Sequence, residues 1–201
     1  MIKENWKTLL LALGFLLSAA IIFVFFIDAH EVATRGKGWI FDDPVHAVLP
    51  AMNLSIPIFS ITYGSLILYV FTSYRQPNFL SRLMIAYGLI TLFRIGTISL
   101  FPLREPQTLV FLEDPVLNDL IYPGEIITDL FFSGHTALVF MLFILSGYRW
   151  YFLLLTLLMG VFLMIQRIHY SIDVLAALPF AWLAVWLAGK FLERISKSNN
   201  T

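Results

Sequence analysis

Two histidines and their neighbours carry the chemistry this sequence can offer. His169 and Asp173 stand four residues apart, a spacing that puts both side chains on one face of a helix. A carboxylate placed there can hold the proton on one imidazole nitrogen and leave the other nitrogen free as a nucleophile. His135 supplies a second imidazole, whose ordinary pKa of about 6.5 suits proton donation to a leaving group at neutral pH. Arg94 and Arg167 bring planar guanidinium forks, which match the non-bridging oxygens of a phosphoryl group. Ser133 and Gly134 directly precede His135, where the N-terminus of a helix would favour an anion. A nucleophile, an acid, an orienting carboxylate and two guanidinium groups together make a phosphoryl-transfer set that calls for no metal and no cofactor. The absence of cysteine excludes thiol catalysis and thiolate metal sites.

The elements that position these residues follow from composition. Only 13% of the 201 residues are charged and 59% are apolar, against about 25% and roughly 45–50% in soluble domains. A soluble domain, a disordered chain and a disulfide-stapled fold are excluded. Lys plus Arg and Asp plus Glu number 13 each, so no basic excess exists to neutralise nucleic-acid phosphates. Six apolar runs meet the length needed to cross a bilayer, over residues 8–27, 54–74, 80–101, 131–148, 150–168 and 172–191. The expected fold is an all-α membrane bundle of six transmembrane helices, forming one domain over residues 1–201. The first run is too long for a signal-peptide core and has no clear cleavage site after it, so it reads as a retained helix.

Placing the N-terminus in the cytoplasm puts Lys3, Lys7, Arg75, Arg82, Arg149, Lys190, Arg194 and Lys197 inside. Arg35, Lys37, Arg104 and Arg167 are then outside, and this bias sets both termini in the cytoplasm. His135, His169 and Asp173 then fall at the outer ends of their spans, with Arg94 roughly 12 Å below the outer end of the third. A central Arg costs about 2.5–3.5 kcal/mol to insert, so its presence there points to a function. All four residues can line one cavity on the non-cytoplasmic side.

Two short segments resemble a known family. Asp129-Leu130-Phe131-Phe132-Ser133-Gly134-His135-Thr136 resembles the first histidine signature of the sphingomyelin synthases, and His169-Tyr170-Ser171-Ile172-Asp173-Val174 resembles the second. Arg94-Ile95-Gly96-Thr97 with Pro102 beyond is similar to the third-span motif of that family. The motif-bearing stretch covers about residues 91–178. The family is a branch of the type 2 phosphatidic acid phosphatase superfamily. The resemblance implies a phosphohistidine mechanism with His169 as nucleophile, Asp173 as its orienting carboxylate and His135 as general acid and base. It implies supporting places for Asp129, Tyr170 and Thr136. It implies a phospholipid substrate whose phospho-head group passes to a lipid alcohol, or to water in a phosphatase. Phe132 where phosphatases carry Pro, and Leu163 where they carry Arg, favour the synthase-like branch.

Other polar features have plainer readings. The outer segment 103–130 is acidic, with Glu105, Glu113, Asp114, Asp119, Glu125 and Asp129, and reads as a solvated outer loop ahead of an attractor for the cationic amine of a phospholipid head group. His30, Asp42, Asp43 and His46 in the first outer loop read as turn and capping residues ahead of a metal site, since no third ligand has a diagnostic spacing. Trp182 and Trp186 share a face of the sixth span and read as packing or lipid contacts. A small transporter with histidines in a proton path is the alternative from another class. Broken helices or an internal repeat would mark it, and the sequence shows neither.

Overall fold

The computed structural model describes residues 5–114 and 127–198. Asp119 and Glu125 lie outside the described residues. Among the described residues seven helices follow in order: α1 (Trp6–Thr34), α2 (Pro44–Val48), α3 (Ser55–Ser73), α4 (Phe79–Leu100), α5 (Gly134–Leu145), α6 (Trp150–Gln166) and α7 (Ser171–Ser198). Among the described residues there is no strand, only an isolated bridge between Trp39 and Leu103. Four helices, α1, α3, α4 and α7, are long and apolar enough to cross a membrane; α5 and α6 are shorter apolar helices. Only 22–33% of each spanning window is buried within the protein, so most of this apolar surface needs a lipid partner. The chain is an integral membrane protein.

The helix ends are set locally. Asn5 caps α1, its side-chain oxygen accepting from the Lys7 N–H at 3.1 Å. The helix continues past residue 27, where the expected span stops, because no breaker intervenes before Gly36 at φ +73° and the Glu31–Arg35 pair spans one turn at 2.8 Å. Over the fourth apolar run the helix covers only 12 residues, or about 18 Å against a hydrocarbon core of about 30 Å. Ser133 caps it late, accepting from the Thr136 N–H at 3.3 Å, and Gly147 and Tyr148 at positive φ stop it early. The two phenylalanines ahead of the cap serve the core from non-helical backbone: Phe132 is fully buried and stacks on Phe180 with centroids 4.5 Å apart.

Packing brings one end of all these helices together. α4 packs against α1, α5 and α7, and α6 packs against α3, α5 and α7. Ala177, Ala181, Ala184 and Ala188 form a fully buried stripe along α7, with spacings of three and four residues. Small side chains on such a stripe let neighbouring backbones approach closely, and in lipid that approach drives association. Gly88 serves the same end on α4, because a Cβ there would stand 2.7 Å from the Phe15 ring of α1. The chain alternates direction through the bundle. The C-terminal ends of α1, α4 and α6 therefore meet the N-terminal ends of α3, α5 and α7. Trp182 and Trp186 are about half exposed, on the outward side of α7.

Candidate active site

At that shared end lie the residues that the sequence singled out. Asp173 is the third residue of α7, and its Oδ2 accepts the backbone N–H of Tyr170 at 2.9 Å. This is the carboxylate half of a capping box, which fixes the side chain by the same bond that starts the helix. The same Oδ2 stands 3.4 Å from His169 Nδ1. Asp173 has no exposed surface and His169 has 4%. The i,i+4 dyad is therefore formed, with one imidazole nitrogen turned to the carboxylate.

His135 stands in the first turn of α5, half-buried, with its ring edge-on to Phe59 at 5.6 Å. It lies within electrostatic reach of His169, Arg94, Asp129 and Asp114. The two histidine segments are joined through the backbone, since the Ser133 N–H donates to the Asp173 carbonyl at 3.1 Å. Ser133 is wholly buried and its hydroxyl is occupied by the cap. The next N–H groups stand at an open helix N-terminus, where intrahelical acceptors are lacking.

Arg94 reaches this turn from α4. Its Nη2 pairs with Asp129 Oδ2, and its Cζ lies 4.9 Å above the Phe23 ring. A Cβ on Gly134 would come within 2.6 Å of Arg94 Nη1 and 2.9 Å of Cζ, so the guanidinium rests directly on the Gly134 backbone. Thr97 on the same helix donates its hydroxyl to the Phe131 carbonyl at 2.9 Å. These contacts bind the Arg94–Thr97 segment to the residues around His135.

Arg167, expected beside Arg94 on a phosphate, is placed differently. It ends α6 at φ +59°, and its Nη atoms donate to Thr108 Oγ1 at 2.8 Å and to the carbonyls of His46 at 2.6 Å and Leu49 at 2.7 Å. Tyr170 is buried, its hydroxyl donating to the Arg104 carbonyl at 2.9 Å. Burial pushes that phenol above its usual pKa, which keeps the donor protonated. Thr136 is buried beneath the α5 cap.

Six of the eight buried side-chain polar atoms without a hydrogen-bond partner among the described residues belong to this set. They are Arg94 Nε, Asp129 Oδ1, Thr136 Oγ1, Arg167 Nε, His169 Nδ1 and Asp173 Oδ1. Each such atom costs about 1–3 kcal/mol, a penalty that folded proteins otherwise avoid. Their concentration at one end of the bundle sets that end apart from the rest of the packing.

Two contributors were not foreseen, and a third has a wider part than expected. Glu31, at the end of α1, accepts from the N–H groups of Ile127 and Thr128 and from the Thr128 hydroxyl at 3.1, 3.0 and 2.6 Å, and so holds the segment leading to Asp129. A carboxylate just past an apolar span was the available signal. Gln166, wholly buried at the end of α6, accepts from Leu54 N, and its Nε2 donates to Phe111 O at 2.8 Å with Ser55 Oγ and Val110 O both 3.2 Å away for its second hydrogen. Its signal was a lone polar side chain closing an apolar helix. Asp43 caps α2 as the loop reading anticipated, but it also reaches the second histidine segment. His30 stacks on Phe26 at 5.2 Å.

No protein-family model matches this sequence, and no curated protein matches it. Among solved structures, the crystal structure of Aquifex aeolicus LpxE is similar at 19% identity, over 68% of this chain and 86% of that one, with a TM-score of 0.49.

Proposed function

We propose that this chain is a membrane enzyme of the type 2 phosphatidic acid phosphatase superfamily that cleaves a lipid phosphoester through a phosphohistidine. The observation that carries this reading is the His169–Asp173 contact at 3.4 Å, with His135 and Arg94 close enough to interact electrostatically. Asp173 Oδ2 faces His169 Nδ1 at 3.4 Å, so a small rotation of the ring brings the Nδ1 proton onto the carboxylate and leaves Nε2 as the nucleophile. Nε2 attacks phosphorus, the bond from phosphorus to the lipid oxygen breaks, and His135 gives its proton to the leaving alkoxide. In the second half the hydroxyl of an acceptor attacks phosphorus, His135 takes its proton, and the N–P bond breaks. Arg94 and the N-terminus of α5 neutralise the charge on the phosphoryl oxygens. Arg167 serves through the loop that it braces.

All six apolar helices belong to the spanning domain in this reading. Both termini are cytoplasmic and the site opens to the other side. The sphingomyelin synthase-like motifs favour transfer of a phospho-head group to a lipid alcohol such as ceramide or diacylglycerol. Water as acceptor makes the same residues a lipid phosphatase.

The test is mass spectrometry of lipid products from purified protein in mixed micelles, with and without an added acceptor. A phospho-head group on the added alcohol supports transfer, and free phosphate regardless of acceptor supports hydrolysis. Full lipid turnover by His169→Ala refutes the mechanism. Solute flux in liposomes with no change in lipid chemistry would establish the transporter reading instead.

A further inference from the structure

His169 lies in the short non-helical gap between α6 and α7, so no helix fixes its backbone. Its position is set from outside, by the first loop. Asp43 and His46 are both buried, at 4% and 9% exposure. Asp43 Oδ1 accepts from the Val45 N–H at 2.9 Å as the cap of α2, while its Oδ2 accepts the N–H of Ser171. His46 Nε2 is 3.1 Å from the His169 carbonyl, and since a carbonyl only accepts, Nε2 donates. The His46 ring also lies against Tyr170 with centroids 5.6 Å apart, and Phe41 meets that ring edge-on at 5.7 Å. Arg167 ties back to the carbonyls of His46 and Leu49.

From this geometry we infer that Asp43 and His46 are positioning residues for the nucleophile, acting through the backbone of residues 169–171. The inference rests on the phosphohistidine reading above. The two residues hang both members of the dyad from one rigid block. His46 holds the carbonyl of His169, and Asp43 holds the first residue of the helix that carries Asp173. Pro44 between them stiffens that block by fixing its own φ. In-line attack tolerates little error, and a misplacement of about 1 Å costs on the order of a hundredfold in rate. Neither side chain forms part of the phosphate grip, so the effect falls on turnover and not on substrate binding.

The experiment compares His46→Phe, His46→Gln and Asp43→Asn with the wild type and His169→Ala, in lipid turnover in mixed micelles and in thermal unfolding. His46→Phe keeps a ring against Tyr170 but loses the donor, and kcat falls about ten- to a hundredfold with KM within about twofold. His46→Gln keeps a side-chain N–H and restores kcat to within about threefold of the wild type. Asp43→Asn offers one oxygen to two donors and lowers kcat in the same way. It retains the shape of the side chain, and it decides the matter if His46→Phe does not fold. Wild-type kcat in His46→Phe, equal losses in His46→Phe and His46→Gln, or a change confined to KM overturns the inference while leaving the phosphohistidine intact. Turnover by His169→Ala overturns both.

Discussion

Gly134→Ala separates the needs of the helix from those of the site. Gly134 is the first residue of α5, and alanine is the better helix former by up to about 1 kcal/mol, so the helix itself gains. The added methyl carbon would stand 2.6, 2.9 and 3.3 Å from Nη1, Cζ and Nε of Arg94, where ordinary contact begins at 3.4 Å. The guanidinium must therefore withdraw by about 0.8 Å (3.4 less 2.6). It has little room to do so, since Phe23 covers it and Asp129 holds Nη2. Withdrawal loses one or more charge-assisted hydrogen bonds to the phosphoryl group, worth about 1.5–3 kcal/mol. At about 1.36 kcal/mol per decade, kcat/KM falls roughly 10- to 150-fold. The assay is initial-rate turnover of a lipid phosphoester in mixed micelles, run beside Arg94→Ala and a thermal melt. A large loss of activity in a protein that melts no lower than the wild type, approaching the loss in Arg94→Ala, is the expected result. Wild-type kcat/KM in Gly134→Ala, with Arg94→Ala inactive, would refute the view that the Gly134 backbone is the seat of the guanidinium.

Asp173→Asn keeps the bond from Tyr170 N but removes the charge facing His169, and kcat should fall by about three to four orders of magnitude while the fold persists in circular dichroism. Glu31→Gln weakens a carboxylate that gathers three donors from residues 127–128, and thermal melts should show a loss of about 1–3 kcal/mol, with activity falling as Asp129 loosens. Burial holds the His46 pKa below its usual 6.5, ahead of the opposing pull of Asp43. The unfolded chain therefore binds this proton at a higher pH than the folded one. The contribution to stability is complete above pH 6.5 and is lost as pH falls through the folded value. Melting curves from pH 7.5 down to about 5 should fall more steeply for the wild type than for His46→Gln, and parallel curves would contradict the assignment.

What the sequence made legible was local. The His169–Asp173 dyad follows from an i,i+4 spacing, and the Ser133 cap from a hydroxyl ahead of an apolar run, so both were readable before any contact was known. The spans over α3 and α4 were readable within a residue or so, because hydropathy alone decides them. The extent of α5 was not. Phe131 and Phe132 look like helix in a hydropathy profile, but the core takes Phe132 from a non-helical segment beside Phe180. The long-range ties were also hidden. Glu31 meets Thr128 across 97 residues and Arg94 meets Asp129 across 35, and no periodicity encodes either pairing. Arg167 shows the limit most directly. Its residue type fits a phosphate and the carbonyls of a loop equally well, and only the fold separates the two.

The arrangement also explains how so few charges suffice. Asp173, His135 and Arg167 stand where a helix begins or ends, so backbone dipoles do part of the electrostatic task, while Arg94 reaches in from the body of α4. Asp173 and the α5 turn under Arg94 lie at N-termini, which favour negative charge. Arg167 closes α6 at its C-terminal end, which favours positive charge. Arg94 pairs with Asp129, so that guanidinium is not left as a lone charge next to lipid. In the proposed mechanism a phosphate arriving at Arg94 meets a guanidinium that already has a partner, and its binding exchanges one anion for another. That exchange keeps desolvation cheap before substrate arrives, and it makes the Arg94–Asp129 pair the contact that any lipid phosphate must open.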